Sequence, residues 1–297
     1  MPRALLAVLL TLAVAAGCAG RASASGFSGG KLSVVTAFYP LQFLSERIGG
    51  DTVTVTNLTK PGAEPHDVEL NPRQVAQVAD AGLAVYLKGF QPAVDEAIGQ
   101  EAKGRSFDVS SVVELQPFNA DSDESGMDPH VWLDPVRFAT IAEKLGERLA
   151  TADPAHAADY RVRAQEVQDQ LQALQQTYAR SLATCERREI VTSHEAFNYL
   201  ATRYGLTQVG ITGISPEAEP SPRRLGEVAR EARATGTTTI FFETLVSPKV
   251  AETIAREVGA RTAVLDPLEG LTDPSADYFT VMRANLSALT EALGCSS

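Results

Sequence analysis

From Lys31 onward, short runs of β-branched and aliphatic residues alternate with stretches whose apolar positions recur at helical spacing. Residues 32–35 predict a strand, and 40–48 a helix closed by Gly49 and Gly50. Thr52, Val53, Thr54, Val55 and Thr56 alternate with period two and form the clearest local strand signal. Asn71 and Pro72 then open a helix with Val75, Val78 and Ala79 on one face, and 84–87 reads as another strand. This βαβα rhythm predicts a mostly parallel sheet covered by helices. After Asp134 and Pro135 the pattern turns helical, with one helix over 136–149 and a break at 151–154. A long helix then runs over about 155–182, its seam formed by Val167, Leu171, Leu174, Tyr178 and Leu182. That seam covers little more than two heptads, which favours a strut between domains over a coiled-coil dimer. The βα rhythm resumes with strands at 190–192, 238–242 and 263–265 and helices at 195–204, 222–234, 248–258 and 277–293. The expected fold class is therefore α/β. It has two lobes, each a mostly parallel sheet flanked by helices, joined by one long rigid helix. The boundaries fall at 31–153, 154–183 and 184–297.

The first residues follow another pattern. Arg3 precedes an apolar run over 5–16, too short to span a bilayer, which reads as a signal peptide over 1–17. The run ends in Ala15-Ala16-Gly17-Cys18, which resembles a bacterial lipobox, with Ala15 where Leu is usual. Lipidation of Cys18 is expected, and 18–30 reads as a flexible tether, rich in Gly and Ser from Ser23 onward. Without Cys18 the cysteines reduce to Cys185 and Cys295. In an oxidising compartment the simplest expectation is that they pair, the alternative being two unrelated thiols.

Composition narrows the function. The formal net charge of -11 disfavours a general phosphate-binding face, so no nucleic-acid partner is expected. Only four histidines occur in 297 residues. His66, His130 and His194 each lie in a segment leading into a predicted helix, the edge where α/β folds bind ligands. His156 lies near the start of the long helix and reads as solvated. Asp266 ends the last predicted strand, in Leu265-Asp266-Pro267-Leu268. Three imidazoles and a carboxylate suit four-coordinate Zn²⁺. They lie more than 60 positions apart, so the site exists only in the folded chain; taken singly, each histidine reads first as a loop or capping residue. An exported zinc hydrolase with Glu195 or Asp67 as base is the competing class. The chain has no His-Glu-x-x-His motif, no Gly-x-Ser-x-Gly elbow and no phosphate-binding glycine loop, so it is expected not to be an enzyme.

From about Lys31 to its end the chain resembles the zinc and manganese solute-binding lipoproteins of bacterial ABC transporters. The matching pieces are Val34-Val35-Thr36-Ala37-Phe38-Tyr39-Pro40, Glu64-Pro65-His66-Asp67 with Asn71-Pro72, Asp128-Pro129-His130-Val131-Trp132-Leu133-Asp134-Pro135, Thr192-Ser193-His194-Glu195-Ala196-Phe197 and Leu265-Asp266-Pro267-Leu268. The resemblance implies two α/β lobes joined by a long helix, with the metal held between them by His66, His130, His194 and Asp266. It also implies an extracytoplasmic monomer, lipid-anchored at the outer face of the cell membrane or periplasmic, that delivers its ion to a membrane permease. In that family a histidine at the third position marks zinc binders and a glutamate manganese binders, so His194 favours zinc. A manganese binder of the same family and a metal-binding adhesin are the alternatives. The loop 119–126 is short and lacks histidine, unlike the His-rich loop of many zinc-binding relatives, so an accessory loading site is not expected.

Overall fold

The computed structural model describes residues 26–118 and 126–296. The expected signal peptide, Cys18, most of the tether and nearly all of the short acidic loop lie outside them. Among the described residues no helix is long and apolar enough to cross a membrane.

Strands β1 (Phe27–Ser28), β2 (Lys31–Thr36), β3 (Val53–Asn57), β4 (Leu83–Tyr86) and β5 (Ser106–Asp108) form the first sheet. β2 pairs in parallel with β3 on one side and β4 on the other, β5 extends the sheet beyond β4, and β1 makes a short antiparallel pair with β2. Strands β6 (Glu189–Thr192), β7 (Thr207–Gly210), β8 (Thr239–Phe242) and β9 (Arg261–Val264) form a second, wholly parallel sheet in the order β7-β6-β8-β9. Both sheets therefore reverse direction beside their first long strand. Such a switch point opens a crevice at the carboxyl ends of the strands.

Helices α1 (Tyr39–Gly49), α2 (Pro72–Asp80) and α3 (Pro92–Glu101) belong to the first half. The Asn71 side chain accepts from the Arg73 and Gln74 amides while Gln74 reaches back to the Asn71 amide, a reciprocal cap that sets where α2 begins. α4 (Pro135–Ala152) and α5 (Ala157–Ser181) form a helical hairpin, with Pro154–His156 as a single 3-10 turn between them. Gly146 sits where an added Cβ would lie 2.7 Å from that of Ala164, so this close approach requires glycine. At 25 residues α5 is about 38 Å long. It buries Tyr160, Ala164, Val167, Leu171, Leu174 and Tyr178 along one face. α6 (Asn198–Tyr204), α7 (Pro222–Ala234), α8 (Lys249–Val258) and α9 (Tyr278–Leu293) complete the second half.

One apolar core runs without a break from Val34 and Phe38 through Trp132, Leu145 and Leu171 to Phe197, Leu265 and Met282. A smaller one, including Val191, Val228, Ile240 and Ile254, lies under α7 and α8. The long helix thus joins the two halves with one face bedded in the common core. The Tyr178 hydroxyl donates to the Met282 carbonyl at 2.6 Å, tying α5 to α9. Cys185 and Cys295 form a disulfide that pins the end of the chain beside the start of the second half.

Candidate metal centre

The functional loops are held by contacts around their histidines. His66 follows β3 in a loop anchored by the buried Gln91, whose Nε2 donates to the Thr59 hydroxyl and the Pro65 carbonyl. The Phe90 ring stands edge-on to the His66 imidazole, 4.7 Å between centroids. His130 precedes a 3-10 turn over Val131–Leu133, and its loop is fixed from the other half of the molecule. The Tyr199 hydroxyl of α6 donates to the Asp128 carbonyl, and Arg203 grips the Asp134 carboxylate with two hydrogen bonds. His194 follows β6 and Glu243 follows β8, so the two flank the switch point of the second sheet.

These loops bring His66, His130 and His194 together with Glu269, one donor atom from each lying within 4.8 Å of all the others. His130 and His194 are fully buried. Glu269 Oε1 lies 3.2 Å from His66 Nε2, 2.9 Å from His130 Nε2 and 3.3 Å from His194 Nε2. The Nε2 atoms of His130 and His194 are 3.4 Å apart. Four donors bound tetrahedrally at 2.0–2.1 Å to one ion lie about 3.3 Å from one another, so these four spacings are those of a small four-coordinate site. Glu269 Oε2 is buried with no hydrogen-bond partner, a polar atom that a cation would satisfy.

The imidazoles are oriented from behind. His130 Nδ1 donates to Asp128 Oδ1 at 2.8 Å, and His194 Nδ1 donates to Glu243 Oε1 at 2.6 Å. Both carboxylates leave Nε2 facing the cluster, free to serve as a donor. Burial pushes His130 and His194 down, but the surrounding carboxylates outweigh it and hold both above the ordinary histidine value. Burial prevails at His66, which is lowered. Burial would raise Glu269, yet the imidazoles, His194 foremost, hold it well below the usual carboxylate range. Burial and the neighbouring Glu269 push Glu64 up to about 8.

The fourth donor differs from the sequence expectation. Asp266 is directed away from the cluster: its Oδ1 accepts from the Leu268 amide at 2.7 Å and its Oδ2 from the Thr244 hydroxyl at 3.0 Å. The backbone of Asp266 is clamped by Asn285, which accepts from its amide and donates to its carbonyl. The Asp266 carboxylate thus closes a turn on its own backbone. That turn holds Leu268 at φ 61°, the one non-glycine of positive φ among the described residues. A left-handed leucine costs about 1–2 kcal/mol. Here it is fully buried, and it turns the chain so that Glu269 enters the cluster. The Trp132 indole donating to the Pro267 carbonyl at 2.7 Å locks this loop to the His130 turn. No periodicity marks Glu269; the only sequence signal was its place directly after the motif Leu265-Asp266-Pro267-Leu268.

Glu195 packs against Gly210 and lies 3.8 Å from Arg224, and Asp67 is exposed; neither joins the donor cluster.

The profile of the family described as zinc-uptake complex component A, periplasmic (ZnuA), matches residues 34–292. The high-affinity zinc uptake system protein ZnuA of Bacillus subtilis is 34% identical, over 97% of this chain and 96% of its own. The zinc-binding protein AdcA of Streptococcus pyogenes serotype M6 is 34% identical over 88% of this chain, which spans 56% of the length of that relative. The Zn(II)-bound crystal structure of AdcA from Streptococcus pneumoniae superposes with a TM-score of 0.78 at 35% identity, covering 89% of this chain and 58% of that one. A match over most of the chain, on a fold whose loops converge on three imidazoles and a carboxylate, places the protein in the ZnuA family.

Proposed function

We propose that the protein captures Zn²⁺ outside the cytoplasm and delivers it to the membrane permease of an ABC transporter. The observation that carries this reading is the donor set: three imidazoles and a carboxylate whose donor atoms lie within 4.8 Å of one another, with Glu269 Oε1 at 3.2, 2.9 and 3.3 Å from the Nε2 atoms of His66, His130 and His194. His66, His130, His194 and Glu269 are the ligands. Four protein donors close the shell and leave no place for a catalytic water, which favours carriage over hydrolysis. Nitrogen donors in the majority suit Zn²⁺ better than the harder Mn²⁺. Asp128 and Glu243 fix the ring orientations, and Asp266 shapes the turn that presents Glu269. Residues 31–153 and 184–297 act as the two lobes around 154–183, and Cys18 is the lipid-anchor position.

The test is competitive calorimetry of Zn²⁺ and Mn²⁺ on metal-stripped protein lacking residues 1–18, with His194→Ala alongside. One-to-one zinc binding that far exceeds manganese and collapses in the variant is the expected result. A manganese preference, or indifference to the substitution, overturns the assignment.

A further inference from the structure

A closed four-coordinate site raises the question of how its ion is exchanged, since no ligand position is open. Departure of one donor before another arrives leaves a three-coordinate ion in a buried pocket. Zn²⁺ also accepts a fifth donor, which provides an associative path if a spare donor stands beside the shell.

Glu64 stands there. It sits two residues before His66, on the loop carrying the only one of the three histidine ligands that is not fully buried. Its Oε1 lies 4.0 Å from His66 Nε2 and accepts the His66 amide at 3.0 Å. Its Oε2 is buried and has no hydrogen-bond partner. Asp128 is bound to His130, and Asp266 to Thr244 and Leu268. Glu243 also keeps a buried Oε2 without a partner, but its Oε1 stands behind His194 at Nδ1, whereas Glu64 lies on the Nε2 side of His66. A buried carboxyl oxygen without a partner, beside a second carboxylate, Glu269, is costly to keep.

From this geometry we infer that Glu64 is a transit ligand, which binds the ion as His66 leaves or joins the shell. An oxygen of its carboxylate occupies the fifth position while the His66 loop opens, and returns to its resting place once the four-coordinate shell is complete. Glu64 therefore governs the speed of loading and release, and contributes little to the affinity at rest. The inference rests on the zinc reading above.

Glu64→Gln tests it cleanly, because the amide oxygen still accepts the His66 amide while the carboxyl group is replaced by a weaker oxygen donor. The chain has a single tryptophan, Trp132, whose ring centroid lies 5.2 Å from that of His130 and serves as the optical probe. Stopped-flow mixing with Zn²⁺, and release of bound Zn²⁺ into excess chelator, give the two rate constants; competition calorimetry gives Kd. In Glu64→Gln both rates fall about tenfold while Kd changes less than threefold, and Glu64→Asp recovers part of the speed. Unchanged rates overturn the inference, as does a Kd loss as large as that of Glu269→Gln, which makes Glu64 a resting ligand. Failure of the unsubstituted protein to bind Zn²⁺ instead overturns the zinc reading itself.

Discussion

Asp266 and Glu269 lie three residues apart, and substituting each with its amide separates a turn-former from a ligand. Closed zinc sites bind with about 10–16 kcal/mol at neutral pH. Shared among four donors, that is about 3 kcal/mol each, or roughly a hundredfold to a thousandfold in Kd. Glu269→Gln keeps the shape of the side chain but replaces the anionic donor, so zinc affinity is expected to fall by that factor. Asp266→Asn keeps an oxygen for the Leu268 amide, 2.7 Å from the present carboxylate, and a polar partner for Thr244. Only the charge on those two bonds is lost, a penalty of about 1 kcal/mol, or roughly fivefold. The assay is competition calorimetry against a chelator of known affinity, with metal-free melting curves to check that both variants fold. An Asp266→Asn loss equal to or larger than that of Glu269→Gln refutes the assignment, and so does a harmless Glu269→Gln.

Three other outcomes follow from the same geometry. Because the carboxylates hold His130 and His194 above the ordinary value of about 6.5, their protons compete with the ion from above that pH downward. Zinc affinity is therefore expected to decline steadily from pH 8 to 6 with proton release on binding, whereas a flat titration from pH 8 to 5 rules out histidine ligation. Asp128→Asn and Glu243→Gln, which weaken the support behind His130 and His194, each lower zinc affinity about 10–100-fold in the same calorimetric assay. Reducing the Cys185–Cys295 disulfide, which closes a 110-residue separation, lowers stability by up to about 4–5 kcal/mol, read from urea unfolding with and without reductant; an unchanged midpoint refutes this.

Much of the architecture is written locally. The β-branched alternation at Thr52–Thr56 becomes β3, Asn71-Pro72 caps α2, and the uninterrupted apolar seam after Pro154 becomes α5. Such features depend on neighbours a few positions away, where periodicity and capping act. Elements with weak local pattern escaped: β5 and β7 are only 3 and 4 residues long, and α3 buries only Val94, Ala97 and Ile98 and carries an exposed Gly99. The helix expected from Glu195 begins at Asn198, because the chain first loops to leave His194 beside Glu243.

The three histidines were legible as candidates because histidine is scarce here and each precedes a helix in an α/β pattern. Their convergence was not, since it depends on Tyr199, Arg203 and Trp132 pinning loops from opposite halves. The fourth donor shows the boundary most sharply. Residue type and position pointed to Asp266, at the end of the last strand, and passed over Glu269. Which carboxylate faces the cluster is decided by one turn, in which Asp266 binds its own backbone, Leu268 adopts a left-handed conformation and Glu269 swings inward. Local sequence sets secondary structure because its energies are local; a coordination site joins residues far apart in the chain, and only the packed loops determine which atoms meet.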